Sequence, residues 1–176
     1  QYTFASVVSV AWFATTGFIV QAVGASALHA FGAGRPLLVI RRHLTRVTAA
    51  LLSAALLGLP VVIVGTRALQ HAGFAAYAPA LDIMPILYAG GALSAVSIYG
   101  YVLLALRRFP LVMMATGVGV VVALAGGFIL VLGDPTIADF AWLFLASQLT
   151  TASFTIAAGE FVVRRGRFAR EAQSGA

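Results

Sequence analysis

Residues 109–132 read FPLVMMATGVGVVVALAGGFILVL, an uninterrupted apolar stretch that directly follows Arg107 and Arg108. A transmembrane helix needs about 20 apolar residues to cross a hydrocarbon layer of roughly 30 Å. The stretch meets that length and lacks the alternation of apolar and polar residues that a strand of a membrane barrel requires. It therefore predicts a membrane-spanning α-helix.

The composition of the whole chain points to the same class. Hydrophobic residues make up 61% of the 176 positions and charged residues only 9%, whereas soluble domains carry about 25% charged residues. A chain of this length has a limited interior, so folding in water would leave long apolar stretches exposed. The composition excludes an ordinary soluble domain.

Four more apolar stretches of similar length accompany the first. We predict an all-α membrane bundle of about five transmembrane helices, at residues 4–31, 47–66, 83–106, 109–132 and 137–163. Only Arg107 and Arg108 separate the third helix from the fourth, which predicts a tight helical hairpin. Residues 1–165 would form the bundle and residues 166–176 a cytoplasmic tail.

The basic residues predict the orientation of this bundle. All eleven are arginines; ten fall on one side of the predicted helices, and only Arg67 falls on the other. By the positive-inside rule the arginine-rich side is cytoplasmic, with the N-terminus outside and the C-terminus inside. Because the clusters are short and close to the membrane, we expect a lipid bilayer and no nucleic acid as partner. The residues that set the topology are Arg35, Arg41, Arg42, Arg46, Arg107, Arg108, Arg164 and Arg165, with Arg167 and Arg170 in the tail.

Small residues recur every four positions on the last two predicted helices. Such stripes let helix backbones approach closely, so we predict that Ala115, Gly119, Ala123 and Gly127 pack against a neighbouring helix. The fifth helix repeats Ser147, Thr151, Thr155 and Gly159. Its hydroxyl groups either hydrogen-bond within the bundle or line a water-filled cavity.

Strongly polar side chains are few within the predicted spans. Polar groups in hydrocarbon tend to face the bundle interior, so Gln21 and Gln148 join Thr151 and Thr155 as candidate cavity-lining residues. A glutamine that only hydrogen-bonds between helices remains the alternative. Glu160 stands four residues before Arg164, a spacing that predicts an ion pair at the headgroup boundary.

Two loop segments carry helix-start signals. Thr136 and Asp139, after Asp134 and Pro135, have the spacing of a capping box at the start of the fifth helix. Asp82 lies where the N-cap of the third helix is predicted. We interpret these acids as structural.

The chain shows no catalytic constellation, metal-ligand motif or phosphate-binding loop. We therefore expect neither an enzyme nor a bound metal or cofactor. A chain that begins at Gln1 with an external start predicts the C-terminal piece of a longer protein. Its arginine- and alanine-rich composition suggests a bacterial cytoplasmic membrane.

Several segments together resemble a known transporter group. They are the arginine-rich GRPLLVIRRHLTR (residues 34–46), the external FAAYAPALDIMPILYAGGALSA (74–95), the turn LRRFPLV (106–112), the short external GDPTIAD (133–139) and a last helix ending in Arg164 and Arg165. The arrangement is similar to the C-terminal part of flippases of the multidrug/oligosaccharidyl-lipid/polysaccharide superfamily. In that family an external Tyr-Ala-x-Ala-Leu segment, matched by residues 77–81, commonly precedes a Pro-Ile-Leu-like stretch, matched by residues 85–87.

This resemblance implies most of the second lobe of a two-lobed, alternating-access transporter. Its substrate would be a lipid-linked oligosaccharide or polysaccharide precursor, and its partner the N-terminal lobe of the same chain. The family's charged lumen residues belong to helices outside this segment, so none is carried over. Two alternatives remain open: a cation-coupled multidrug or small-molecule efflux transporter, and a non-transporting membrane assembly subunit.

Overall fold

The computed structural model describes the backbone of residues 2–174 and the side chains of residues 16–164. The described chain is helical and contains no strand, which confirms the all-α prediction. Its helices are α1 (Tyr2–Gly32), α2 (Leu37–Leu69), α3 (Ala78–Leu93), α4 (Ile98–Ala105), α5 (Phe109–Val131) and α6 (Ile137–Ser174).

Within the described residues, three continuous helical stretches are long and apolar enough to cross a membrane. They are Leu37–Ala105, Phe109–Val131 and Ile137–Arg164. The first does not run straight, because its chain direction changes at Gly73, whose φ of +101° lies outside the helical region. A π-helical turn (Gln70–Phe74) and a 3₁₀ turn (Ala75–Tyr77) make this connection, and α3 then packs back against α2.

Helix α2 begins ten positions earlier than the predicted start at residue 47. Pro36 precedes its first turn, and the following residues alternate between a buried face with Ile40 and Leu44 and an exposed face with Arg42 and Arg46. The prediction was wrong here because it started the helix only after the last of these arginines. A helix can extend beyond the hydrocarbon layer, so charged residues can belong to it. With 33 residues, α2 is about 50 Å long.

Helices α3 and α4 form one unit interrupted by a 3₁₀ segment, Ser94–Ser97. Asp82 was expected at the N-cap, but Tyr77 occupies that position and Asp82 lies inside α3. There its Oδ1 accepts a hydrogen bond of 2.8 Å from Gln70 Nε2. The carboxylate thus links α3 to the preceding turn.

The α3–α4 unit lies in the middle of the bundle, where it contacts α1, α2 and α6. One apolar cluster joins Leu81, Met84 and Leu87 of α3 to Ala141 of α6. A second cluster contains residues from α1, α2, α4 and α6. Its buried members are Val20, Ala27, Ile40, Leu44, Ile98, Val102 and Val163. These contacts bring the beginning of α2, the end of α4 and residue 163 of α6 to the same end of the bundle.

The capping box at the start of α6 has the predicted geometry. The Thr136 amide donates to Asp139 Oδ2 at 2.7 Å, and the Asp139 amide donates to Thr136 Oγ1 at 3.3 Å. At its other end α6 continues past residue 163 to Ser174. The side chains of Arg165, Arg167 and Arg170 lie outside the described residues.

Candidate functional site

A cavity of about 170 Å³ opens between the interrupted α3–α4 unit, α5 and α6. It lies beside the 3₁₀ segment, and its α5 residues come from the first two turns of that helix. Its lining comes from every one of these elements: Leu93, Ser94, Ser97, Gly100, Leu103, Val112, Ala115, Thr116, Gln148, Thr151, Ala152 and Thr155. None of these twelve residues is charged.

Three of the four predicted cavity candidates lie together on this lining. Gln148, Thr151 and Thr155 have spacings of three and four residues, so they share one face of α6. Gln21 does not lie there: it is an exposed residue of α1. Whether any of them contacts a transported molecule stays a prediction.

The lining also contains hydroxyl residues that the sequence did not mark as cavity residues. Ser94 and Ser97 come from the 3₁₀ segment, and Thr116 comes from α5. Ser94 and Ser97 are three residues apart, a signal that the sequence showed but that equally fits helix packing. The packing of the 3₁₀ segment beside α5 and α6 places both residues on the cavity wall.

Most of the lining hydroxyls donate their proton to a carbonyl oxygen of their own helix. Thr155 Oγ1 donates to the Thr151 carbonyl at 2.8 Å, and Thr151 Oγ1 donates to the Ser147 carbonyl at 3.0 Å. Ser97 Oγ bonds to the Ser94 carbonyl at 2.6 Å, and Thr116 Oγ1 to the Val112 carbonyl at 3.2 Å. A hydroxyl has one proton and two lone pairs, so these four oxygens present acceptors to the cavity.

Two lining side chains have O–H or N–H groups that do not donate to another described residue. The Ser94 hydroxyl is buried and forms no hydrogen bond with any described residue. The Gln148 amide makes no side-chain hydrogen bond in the described part of the chain either, and it carries two N–H donors beside its carbonyl acceptor. A buried hydroxyl without a partner costs about 1–3 kcal/mol. The Ser94 oxygen has almost no accessible surface, so Gln148 is the lining residue that presents donors to the cavity.

The predicted small-residue stripe of α5 faces α6 beside this cavity. A Cβ added to Gly119 would collide with Thr151 Oγ1 and lie 3.2 Å from the Ser147 carbonyl. Ala115 and Gly119 are buried, while Ala123 and Gly127 are half-buried. A Cβ added to Gly127 would lie 3.9 Å from Leu143 Cδ2. The stripe therefore lets α5 approach the hydroxyl face of α6.

A second polar site lies at the arginine-rich end of the bundle. Arg41 of α2 donates through Nη2 to both oxygens of Glu160, at 2.5 and 2.6 Å, and through Nε at 3.0 Å. The prediction that Glu160 pairs with Arg164 was wrong, since Arg164 points outward and is exposed. Tertiary packing brings α2 next to α6 and supplies a partner that sequence spacing cannot reveal. Nearby, Thr45 Oγ1 and Tyr99 Oη share a hydrogen bond of 2.7 Å between α2 and α4.

The remaining topology-setting arginines of the described region are exposed. Arg35 lies in the connection between α1 and α2, Arg42 and Arg46 lie on α2, and Arg107 and Arg108 lie in the turn between α4 and α5. The prediction had placed Arg41, Arg42 and Arg46 in a loop, and the early start of α2 corrects this. Among the described residues no group of three His, Cys, Asp or Glu side chains could hold a metal ion.

These observations describe a multi-pass helical membrane protein whose bundle contains an uncharged cavity with hydroxyl and amide groups on a largely apolar wall. No family model, curated protein or solved structure matches the chain. The likeness to flippases therefore stays a prediction based on the sequence.

Proposed function

We propose that this chain forms five membrane spans of an alternating-access transporter. The spans are α1, α2, the α3–α4 unit, α5 and α6, with the N-terminus outside and the C-terminus in the cytoplasm. The reversal at Gly73 divides Leu37–Ala105 into two spans, since that stretch is far longer than a hydrocarbon layer of roughly 30 Å. The packing of α2, α4 and α6 supports one arginine-rich, cytoplasmic end.

The observation that carries the proposal is the uncharged cavity beside the 3₁₀ segment of the α3–α4 unit. This segment keeps helical φ/ψ angles but is wound more tightly than the α-helices on either side of it, and such a stretch within a helix often marks a functional hinge. Ser94 and Ser97 lie on it, and Gln148, Thr151 and Thr155 face it from α6. Polar side chains inside a membrane bundle tend to mark the path of a transported molecule.

We further propose that the transported molecule is a lipid-linked oligosaccharide or polysaccharide precursor. The resemblance to polysaccharide flippases supports this substrate class, and the absence of charge on the lining is compatible with neutral sugar. In this proposal the five spans form one lobe that rocks against a second lobe. The small-residue contact between α5 and α6 would keep the lobe rigid during that motion.

The topology can be tested by cysteine labelling, because these 176 residues contain no cysteine. Single cysteines replace the loop or helix-end residues Ala33, His71, Phe109, Gly133 and Ser174. In intact cells a membrane-impermeant maleimide should label His71→Cys and Gly133→Cys, whereas the other three should react only after permeabilisation. Labelling of Ala33→Cys and His71→Cys from the same side would refute the five-span arrangement.

The transport activity requires a genetic test. Deletion of the gene should abolish surface polysaccharide and cause the lipid-linked precursor to accumulate in the cytoplasmic leaflet, and the wild-type gene should reverse both effects. Normal surface glycan in the deletion strain, with increased sensitivity to cationic drugs, would instead identify an efflux transporter. Normal glycan and unchanged drug sensitivity would contradict both transporter functions.

A further inference from the structure

The size of the cavity limits what it can bind. Its volume is about 170 Å³, and an engineered apolar cavity of about 150 Å³ is known to hold one benzene molecule. The cavity therefore has room for one six-membered ring or a small cluster of water molecules. Exposed Ser97 and Thr116 lie at its open side, so a ligand can enter between α4 and α5.

The hydrogen-bonding capacity of the lining limits the chemistry of the ligand. Four hydroxyl oxygens, those of Ser97, Thr116, Thr151 and Thr155, have already donated their protons to backbone carbonyls. They can only accept hydrogen bonds from a ligand. Among the lining side chains only Gln148 offers donors to a ligand, because the Ser94 oxygen has almost no accessible surface. A suitable ligand thus offers several O–H or N–H donors and a few acceptors.

The uncharged lining disfavours both anions and cations as ligands of the cavity. An anion would face mostly oxygen lone pairs, which repel it. A cation would be attracted by the hydroxyl oxygens, but no carboxylate among the lining residues balances its charge, and an uncompensated charge in a largely apolar region is costly. A neutral polyol has the required donors without this cost.

We propose that the cavity binds one ring of a neutral sugar. The sugar hydroxyls donate to Thr116, Thr151 and Thr155, and the Gln148 amide donates to a sugar oxygen. Leu93, Leu103 and Val112 supply apolar surface for the C–H faces of the ring. This inference rests on the proposed function and identifies where one sugar of the transported glycan is held.

The test measures binding of methyl β-glucopyranoside to the intact purified protein in lipid nanodiscs, by saturation-transfer NMR. Methyl glucuronide, an anionic analogue of the same shape, and sodium chloride serve as comparison ligands. We expect the glucoside to bind and the glucuronide to bind at least tenfold more weakly. Failure of the glucoside to bind, equal binding of the glucuronide, or displacement of the glucoside by sodium ions would overturn the inference.

Variants separate a binding role from a structural one. Gln148→Leu removes the amide donors of the lining, so it should weaken glucoside binding about three- to tenfold. Thr155→Val should weaken binding by a similar factor. Thr150→Val is the matched control: the Thr150 hydroxyl also bonds to its own helix, at 2.8 Å to the Ala146 carbonyl, but it does not line the cavity. Unchanged binding in Gln148→Leu, or equal losses in Thr155→Val and Thr150→Val, would contradict the proposal.

The binding test and the genetic test fail in different ways. Loss of polysaccharide export on gene deletion, combined with no glucoside binding, would leave the transporter function in place and refute only the sugar site. Glucoside binding in a protein whose deletion leaves surface glycan unchanged would refute the flippase function and keep the site.

Discussion

The ion pair between Arg41 and Glu160 should stabilise the contact of α2 with α6. This stabilisation can be measured with a double-mutant cycle made of Arg41→Gln, Glu160→Gln and the double variant. Both side chains are largely shielded, with 30% and 26% of their surface exposed, and the guanidinium engages both carboxylate oxygens. The cycle separates the energy of the pair from the cost of changing each residue alone.

The expected coupling energy follows from the geometry. Two unit charges about 4 Å apart attract each other by roughly 4 kcal/mol at an effective dielectric constant of about 20. Desolvation of both groups and ordering of two long side chains offset much of this gain. The pair also forms three charge-assisted hydrogen bonds, which raise the net interaction energy that is left. We expect a coupling of about 1–2 kcal/mol and a larger loss in each single variant, which leaves one charge without its partner.

The free energy of unfolding can be measured by SDS titration in mixed micelles, followed by near-ultraviolet circular dichroism. Arg42→Gln is the control, since it removes the same charge from the neighbouring, exposed position of α2. It should change the free energy of unfolding by less than about 0.5 kcal/mol. A coupling energy near zero, or an equal loss in Arg42→Gln and Arg41→Gln, would show that the pair does not stabilise the contact of α2 with α6.

Three further substitutions test the packing and the turns, with the free energy of unfolding as the measurement. Gly119→Ala should destabilise by about 1–3 kcal/mol because its Cβ collides with α6, whereas Gly117→Ala, with open space around it, should not; equal effects would contradict the close approach. Thr136→Ala should cost about 1 kcal/mol through loss of the α6 cap, and no loss would exclude a capping role. Gly73→Ala should cost about 1–2 kcal/mol because of its positive φ, while the helical Gly65→Ala should be neutral or stabilising; no difference between them would contradict the turn.

Sequence patterns predicted those structural features that depend on residues close to one another in the chain. The capping box of Thr136 and Asp139 was readable because both residues belong to one helical turn. The close approach at Gly119 was readable from the four-residue repeat, although the repeat did not identify α6 as the neighbour. The starts of α5 and α6 were placed well because short polar turns bound them.

Features that depend on distant residues were missed or misassigned. Glu160 has a basic residue at helical spacing in Arg164, yet it bonds Arg41, which is 119 positions away. Gln21 and Gln148 looked equivalent in sequence, but only Gln148 lies on the cavity. Hydropathy also placed the start of α2 too late, because it measures the lipid layer and not the length of the helix.

The class of this protein follows from its sequence alone. A chain with 61% hydrophobic and 9% charged residues has to satisfy its backbone hydrogen bonds internally, and continuous apolar runs do so as helices. The polar chemistry, in contrast, depends on how the helices pack. The cavity beside Ser94–Ser97, the approach of α5 to α6 and the pairing of Arg41 with Glu160 arise where several helices meet. Hydropathy and spacing describe one helix at a time, whereas a cavity is formed by the space that several helices leave between them.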